Sequence, residues 1–265
     1  MAAVVALAAS CCGSKAPKVL VLYYSQTGNT QAVAEEIAAK LGAESEAIAP
    51  VVAYDGDFQA TIERSRQELE SGTLPEIKPL SHKVADYDII FLGYPVWFGT
   101  YAPPVSAFLE GVDLSGKKVV PFCTFGSGGL DSSSRDLQEK FPDAEILPGY
   151  GVRAARMAAL PAEVDRFLKE YGFIEGEFEK PGEFSESHPA SEEEAAIFDA
   201  AVDGYPMLNA KAKEVCSRTV PGGIEYLFVA ESLPGEAPST FPVHDIKVYV
   251  LAEEGQAPVF TQVIR

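Results

Sequence analysis

Positive charge is scarce in this 265-residue chain: 21 Lys and Arg stand against 39 Asp and Glu, a formal net charge of −18. A nucleic-acid surface needs a basic patch, so no nucleic-acid partner is expected. Adhesion to anionic lipid is disfavoured for the same reason. The acidity keeps the protein in solution or steers it toward a basic partner. Histidine is rarer still. His82, His188 and His244 are scattered, and no Cys/His group has metal-ligand spacing. No metal site and no catalytic residue is therefore expected, since paired carboxylates and nucleophile–base pairs are also missing. Of four cysteines, Cys11 and Cys12 sit at the N-terminus, and only Cys123 and Cys216 remain in the body. Two distant cysteines make no disulfide framework, and Cys123, at the end of an apolar run, reads as a small core residue. The apolar N-terminal run Met1–Ala9 is too short to span a bilayer.

What is present is a set of short apolar runs, each followed by a turn rich in hydroxyls, aromatics or glycine. Lys18–Tyr24 is short and rich in Val and Leu, which predicts a buried strand. Gln31–Leu41 carries apolar residues at 33, 34, 37, 38 and 41, a helical repeat. Ser25-Gln26-Thr27-Gly28-Asn29-Thr30 lies between them, where a helix N-terminus offers free N–H groups and the positive end of its dipole to an anion. Gly28 lets the backbone curl tightly. A nucleoside-triphosphate loop would carry a lysine, and no Lys or Arg lies between Lys18 and Lys40. A terminal phosphate monoester suits these residues better than ATP, although Ser, Thr and Asn also cap ordinary βα turns.

Two further loops narrow the choice. The run Asp88–Leu92 is followed by Gly93-Tyr94-Pro95-Val96-Trp97-Phe98-Gly99-Thr100, which holds the chain's single Trp. Lys118–Cys123 is followed by Thr124-Phe125-Gly126-Ser127-Gly128-Gly129. In an open parallel sheet the loops after the strand carboxyl ends form the ligand crevice. Hydroxyl donors, an aromatic surface and glycines that permit close approach together suit a planar ring with a phosphate tail.

These three motifs, in this order, resemble those of the flavodoxins and flavodoxin-like FMN proteins, over roughly residues 18–170. The resemblance implies FMN as cofactor and a doubly wound five-stranded parallel α/β sheet in the order 2-1-3-4-5. It implies that Ser25, Gln26, Thr27, Gly28, Asn29 and Thr30 surround the phosphate. Pro95, Val96, Trp97, Phe98 and Gly99 would flank the ring, and Thr124, Phe125, Gly126 and Gly129 would close its other side. Between the motifs, Glu46–Ala49 is predicted as a weak strand and Phe58–Glu70 as a helix with Phe58, Ile62 and Leu69 inward. Helices are expected around Pro104–Glu110, at Ser132–Lys140 and at Pro161–Tyr171, the last with Val164, Phe167 and Leu168 inward. A final strand is expected from Glu145.

Composition shifts near Gly172, which predicts a first domain over 18–171 and a Gly-, Pro-, Glu- and Ser-rich linker over 172–190. The last third carries most of the acidity. Ser191 with Glu194 forms a capping-box pattern before a helix that ends at Gly204. Strand-like runs follow at Ala210–Thr219, Gly223–Glu231, Asp245–Ala252 and Pro258–Ile264. One helix and an antiparallel sheet make a smaller α+β domain over 191–265, which resembles the cystatin-like fold. The match is partial. Thr219 and Pro221 stand where the inhibitory turn Gln-x-Val-x-Gly carries Gln and Val, and the second hairpin has no Trp, so a packing or protein-docking module is expected rather than a protease inhibitor. Residues 1–17 resemble the end of a bacterial lipoprotein signal, with Cys11 as the lipidated residue and the basic segment of such a signal missing. This implies a lipid anchor as the sole membrane contact and an envelope location, or a cytoplasmic one if the segment is no signal. With FMN supplying the chemistry, an electron carrier serving a redox partner protein or small acceptor is expected. An FMN-dependent NAD(P)H quinone or nitro reductase, and an envelope scaffold without redox function, are the alternatives.

Overall fold

The first predicted strand forms β1 (Val19–Tyr23), in which Leu20, Val21 and Leu22 are fully buried. A strand covered on both faces is apolar throughout, so this run does not alternate. The computed structural model describes residues 16–54, 57–205, 208–233 and 244–264; the lipidation expected at Cys11 lies outside them. After β1 come α1 (Asn29–Leu41), β2 (Glu44–Ala47), α2 (Phe58–Ser71), β3 (Ile89–Trp97), β4 (Thr100–Tyr101), α3 (Pro103–Gly111), β5 (Lys118–Phe125), α4 (Leu130–Lys140), β6 (Glu145–Ile146), β7 (Tyr150–Arg153) and α5 (Leu160–Glu170). The strands pair in parallel in the order β2-β1-β3-β5, with β6 and β7 both against β5. This is the expected 2-1-3-4-5 order, its last strand divided in two.

The alternation of side chains across a strand sorts the apolar residues onto two faces. Leu20, Leu22, Ile90, Leu92 and Val119 join Val105, Phe108 and Leu109 of α3 and Leu137 of α4 in one core. Val21, Phe91, Val120 and Phe122 join Val33 and Ile37 of α1 and Val164 and Leu168 of α5 in the other. Strands β3 and β5 come close where Phe122 crosses Gly93: a Cβ on Gly93 would stand 2.1 Å from the Phe122 ring.

One expectation is corrected. Helix α2 does not turn Phe58 inward; Phe58 is 73% exposed, and the helix's buried residue is Ser65. The small Ser65 satisfies its buried hydroxyl within the helix, donating to Thr61 O at 2.5 Å. The stretch expected as a linker, 172–190, contains the boundary between the two compact units. Phe173 packs on Phe91 at 5.0 Å. Gly182 and Ser185 donate to Thr219 O and Ser217 O, and β8 (His188–Pro189) pairs with the next sheet.

The chain divides after Phe178 into two compact units. The second contains β8, α6 (Glu192–Val202), β9 (Ala210–Val220), β10 (Gly223–Ser232), β11 (Asp245–Glu253) and β12 (Val259–Ile264). Its sheet is antiparallel, in the order β12-β11-β10-β9-β8. Ser191 and Glu194 form the reciprocal capping box of α6. Phe198 of α6 meets Phe228 edge-on at 5.2 Å, over a face that buries Val215, Ile246, Val248 and Val250.

At the rim of the first sheet, Glu46 of β2 holds the 81–82 segment. Its carboxylate accepts from the amides of Ser81 at 2.6 Å and His82 at 2.9 Å and meets His82 Nδ1 at 2.7 Å. Burial pushes this carboxyl upward, but those hydrogen bonds prevail and bring it to about 2 from an ordinary 4.5. A depressed folded-state value stabilises the fold above the unfolded value and loses that stabilisation as pH falls toward the folded one. Urea unfolding should therefore show Glu46→Gln less stable than wild type at pH 6, with the gap closing between pH 4.5 and pH 2. Gly93→Ala should cost about 1–3 kcal/mol, as overpacking does, and adding Phe122→Leu should return part of it in the same measurement.

Candidate functional site

Parallel pairing sets the carboxyl ends of β1, β3, β5 and β7 side by side. Tyr23 lies opposite Gly93, Pro95 opposite Thr124, and Phe125 opposite Arg153. The turns that follow therefore share one edge of the sheet.

The first turn enters α1 through Gly28 at φ 92°, which no side chain caps. Open space surrounds the Gly28 Cα, with nothing within 4 Å of where a Cβ would stand. Ser25 Oγ accepts from the Gly28 amide at 3.1 Å and keeps its own proton to donate. The first turn of α1 has no acidic residue, so nothing there offsets the dipole. Helix α4 also starts at an uncapped glycine, Gly129, but carries Asp131 in its first turn. Of the two helix starts, α1 is the better anion site. Thr30 is buried and its hydroxyl pairs with the buried Thr124 hydroxyl at 2.8 Å. Ser25, Gln26, Thr27, Gly28 and Asn29 all keep some solvent exposure.

The second motif is largely strand rather than loop. Pro95, Val96 and Trp97 continue β3, and β4 folds back on them, pairing Val96 with Tyr101 and Trp97 with Thr100. The chain reverses through Phe98 at φ 52° and Gly99 at φ 85°, the signs a tight type I′ hairpin turn demands. A bulky residue there is strained by about 1–2 kcal/mol, and Phe98 is 54% exposed. Trp97 meets Tyr24 at 5.8 Å and Tyr54 at 5.4 Å, both edge-on. Arg64 stacks on Tyr54 at 3.9 Å, pairs with Glu68, and donates to the carbonyls of Val52 and Ala53. The Tyr24 hydroxyl donates to Gln26 Oε1 at 2.6 Å, and burial pushes its own ionisation well above the ordinary range. The aromatic hairpin and the hydroxyl turn are thus joined through Tyr24.

The third motif closes against the second. A Cβ on Gly129, where φ is 121°, would stand 2.5 Å from Val96 Cγ1. Ser132 Oγ donates to Gly99 O at 2.7 Å, and Ser133 Oγ to Gly129 O at 2.6 Å. Phe125 is buried and Gly126 exposed. Arg153 Nε donates to Gly126 O at 2.9 Å from a buried position.

The structure therefore brings the three predicted motifs to one edge and links them in pairs: Thr30 with Thr124, Val96 with Gly129, Trp97 with Tyr24. Sequence reasoning missed Tyr24, Tyr54, Ser132 and Arg153. Tyr24 and Ser132 adjoin motifs and could have been included, whereas Tyr54 and Arg153 reach the site through pairings no local pattern records. Among the described residues, no group of His, Cys, Asp and Glu could hold a metal ion.

Residues 18–162 match the family model of flavodoxin. Among solved structures, a candidate flavoprotein from Bacteroides uniformis is similar at 28% identity, over 57% of this chain and 99% of that one, with a TM-score of 0.50. Another from Bacteroides eggerthii shares 33% identity over 56% of this chain and 96% of its own, with a TM-score of 0.48. A flavoprotein from Lactobacillus acidophilus in complex with FMN shares 24% identity over 51% and 93%, with a TM-score of 0.47. No match is found among the curated proteins.

The threonine pair gives a direct test of how the turns are joined. Removing one buried hydroxyl leaves its partner unsatisfied, while removing both need not. Thr30→Val should lower stability by about 1–3 kcal/mol, and Thr30→Val with Thr124→Val should be more stable than either single variant in urea titrations.

Proposed function

The chain belongs to the flavodoxin family, and from that premise we propose that it is an FMN-dependent electron-transfer protein. The observation that carries this reading is the uncapped, acid-free start of α1, with its hydroxyls, joined directly to the aromatic hairpin and the glycine turn. The residues fit FMN. Amides and hydroxyls of 25–30 suit a phosphate monoester without a cation, and the open space at Gly28 leaves room for close approach. Bound there, FMN supplies one- and two-electron chemistry. The protein's part is to hold the phosphate at 25–30 and to face the ring with Pro95, Val96, Trp97, Phe98 and Gly99 on one side. Thr124, Phe125, Gly126 and Gly129 take the other. Trp97, held edge-on by two tyrosines, has little freedom to lose on binding a flat ligand.

The carrier reading favours a redox partner protein or a small acceptor, and the acidic surface favours a basic partner. The second unit serves as a protein-docking module. Its strand–helix–four-strand order supports the cystatin-like reading. Cys11 would carry the lipid that tethers the protein to the bacterial envelope; intact Met1 with no lipid in the mass spectrum of native protein would refute the tether.

The deciding experiment is reconstitution with FMN followed by stepwise reduction under anaerobic conditions. A yellow holoprotein whose spectra change in two one-electron stages is expected. Rapid bleaching by NADPH with turnover on a quinone would make the protein a reductase, and no uptake of FMN would leave a scaffold. Trp97→Ala should weaken FMN binding by about 1–3 kcal/mol, the range of an aromatic stack, with Trp97→Phe retaining most of the affinity. Unchanged affinity in Trp97→Ala would remove this residue from the ring.

A further inference from the structure

Buried polar side chains are few in this fold, and their placement is uneven. Among the described residues they are Thr30, Ser65, Thr124, Ser133 and Arg153. All but Ser65 lie at the edge where the three motifs meet, and Arg153 alone is charged. Burying a guanidinium is costly unless hydrogen bonds compensate, so its position calls for a reason. Arg153 ends β7 directly opposite Phe125 of β5, and its Nε donates to Gly126 O at 2.9 Å.

That bond has a geometric consequence. In a trans peptide the C=O and the following N–H point to opposite sides. With its carbonyl drawn to Arg153, the 126–127 peptide turns its amide edge away from the arginine. Gly126 itself is solvent-exposed, so the arginine supports the turn from below while the turn's outer side remains accessible. The 2.9 Å bond to Gly126 O places the guanidinium directly against the turn, which keeps this cation within short range of anything resting on it.

We propose that Arg153 is a positioning residue of the FMN site: it holds the 126–129 turn in place and sets a fixed positive charge behind it, favouring the reduced cofactor over the oxidised one. This rests on the FMN reading above. The charge is local and buried, so it acts at closer range than the dispersed acidity of the surface, which salt screens. Arginine suits the role better than lysine because its planar fork donates in a set direction and stays charged at any working pH.

The test compares holoprotein of wild type with Arg153→Gln, Arg153→Met and Arg153→Lys. Dissociation constants for oxidised FMN and the two-electron reduction potential are measured, with urea unfolding of each apoprotein as the control for folding. Methionine is included because an apolar side chain of similar length often replaces a buried ion without loss of stability. Both neutral variants should bind oxidised FMN more weakly and reduced FMN about tenfold more weakly still, lowering the potential by about 30 mV. Arg153→Lys should keep the wild-type potential while its affinity falls. Neutral variants at the wild-type potential would overturn the proposal, and so would a potential in Arg153→Lys as low as theirs. Should neither neutral variant fold, Arg153→Lys decides: wild-type affinity overturns the positioning role, and reduced affinity with the potential retained supports it. A wild-type protein that takes up no FMN would instead defeat the cofactor reading itself.

Discussion

The parallel pairing of β1, β3 and β5 is the constraint on which everything else in the first unit rests. Once Tyr23 lies opposite Gly93, and Pro95 opposite Thr124, the hydroxyl, aromatic and glycine turns must emerge at one edge. No separate interaction is needed to bring residues 25–30 near residues 124–129; the register does so. What remains for side chains is to hold the turns at hydrogen-bond precision, and the Thr30–Thr124 pair at 2.8 Å does this between segments 94 positions apart. Packing over the pair is decided locally too, since the Phe122 ring occupies the space a side chain on Gly93 would need.

Much of this was legible in the sequence because it is local. The Val/Leu run of β1, the helical repeat of α1 and the capping box at Ser191 each lie within a dozen residues, and each formed where expected. The strand order came from family resemblance rather than from periodicity, which cannot say which strand neighbours which. Two features escaped for identifiable reasons. The hairpin at Phe98–Gly99 looked like loop because Gly and Pro punctuate it, yet the backbone pairs with Thr100–Tyr101. Phe58 suggested an inward face for α2, but the residue the helix buries is Ser65, whose hydroxyl is satisfied within the helix, and hydrophobicity alone does not mark such a position.

Arg153 escaped for a different reason. Its strand is four residues long, too short to announce itself, and its Nε meets a backbone carbonyl, which has no sequence signature. Long-range contacts between a side chain and a main-chain atom are the class of interaction that sequence reading handles worst, and functional sites are built largely from them.

The distribution of charge then acquires a logic. The 25–30 turn has no cation, so an anion resting there would meet only amides, hydroxyls and the α1 dipole. Neutral donors of that kind would bind a phosphate through geometry, which favours a fixed turn, and the Ser25–Gly28 and Thr30–Thr124 hydrogen bonds restrain this one. On the strand side of the 124–129 turn there is a buried guanidinium. The role proposed for Arg153 would put one of the chain's 21 cationic residues where the charge of a bound cofactor would change on reduction rather than where charge is constant. A phosphate carries the same charge before and after electron transfer, so a cation beside it would strengthen binding of both states alike. A cation behind the ring distinguishes the two states, and only such a difference can shift a redox equilibrium.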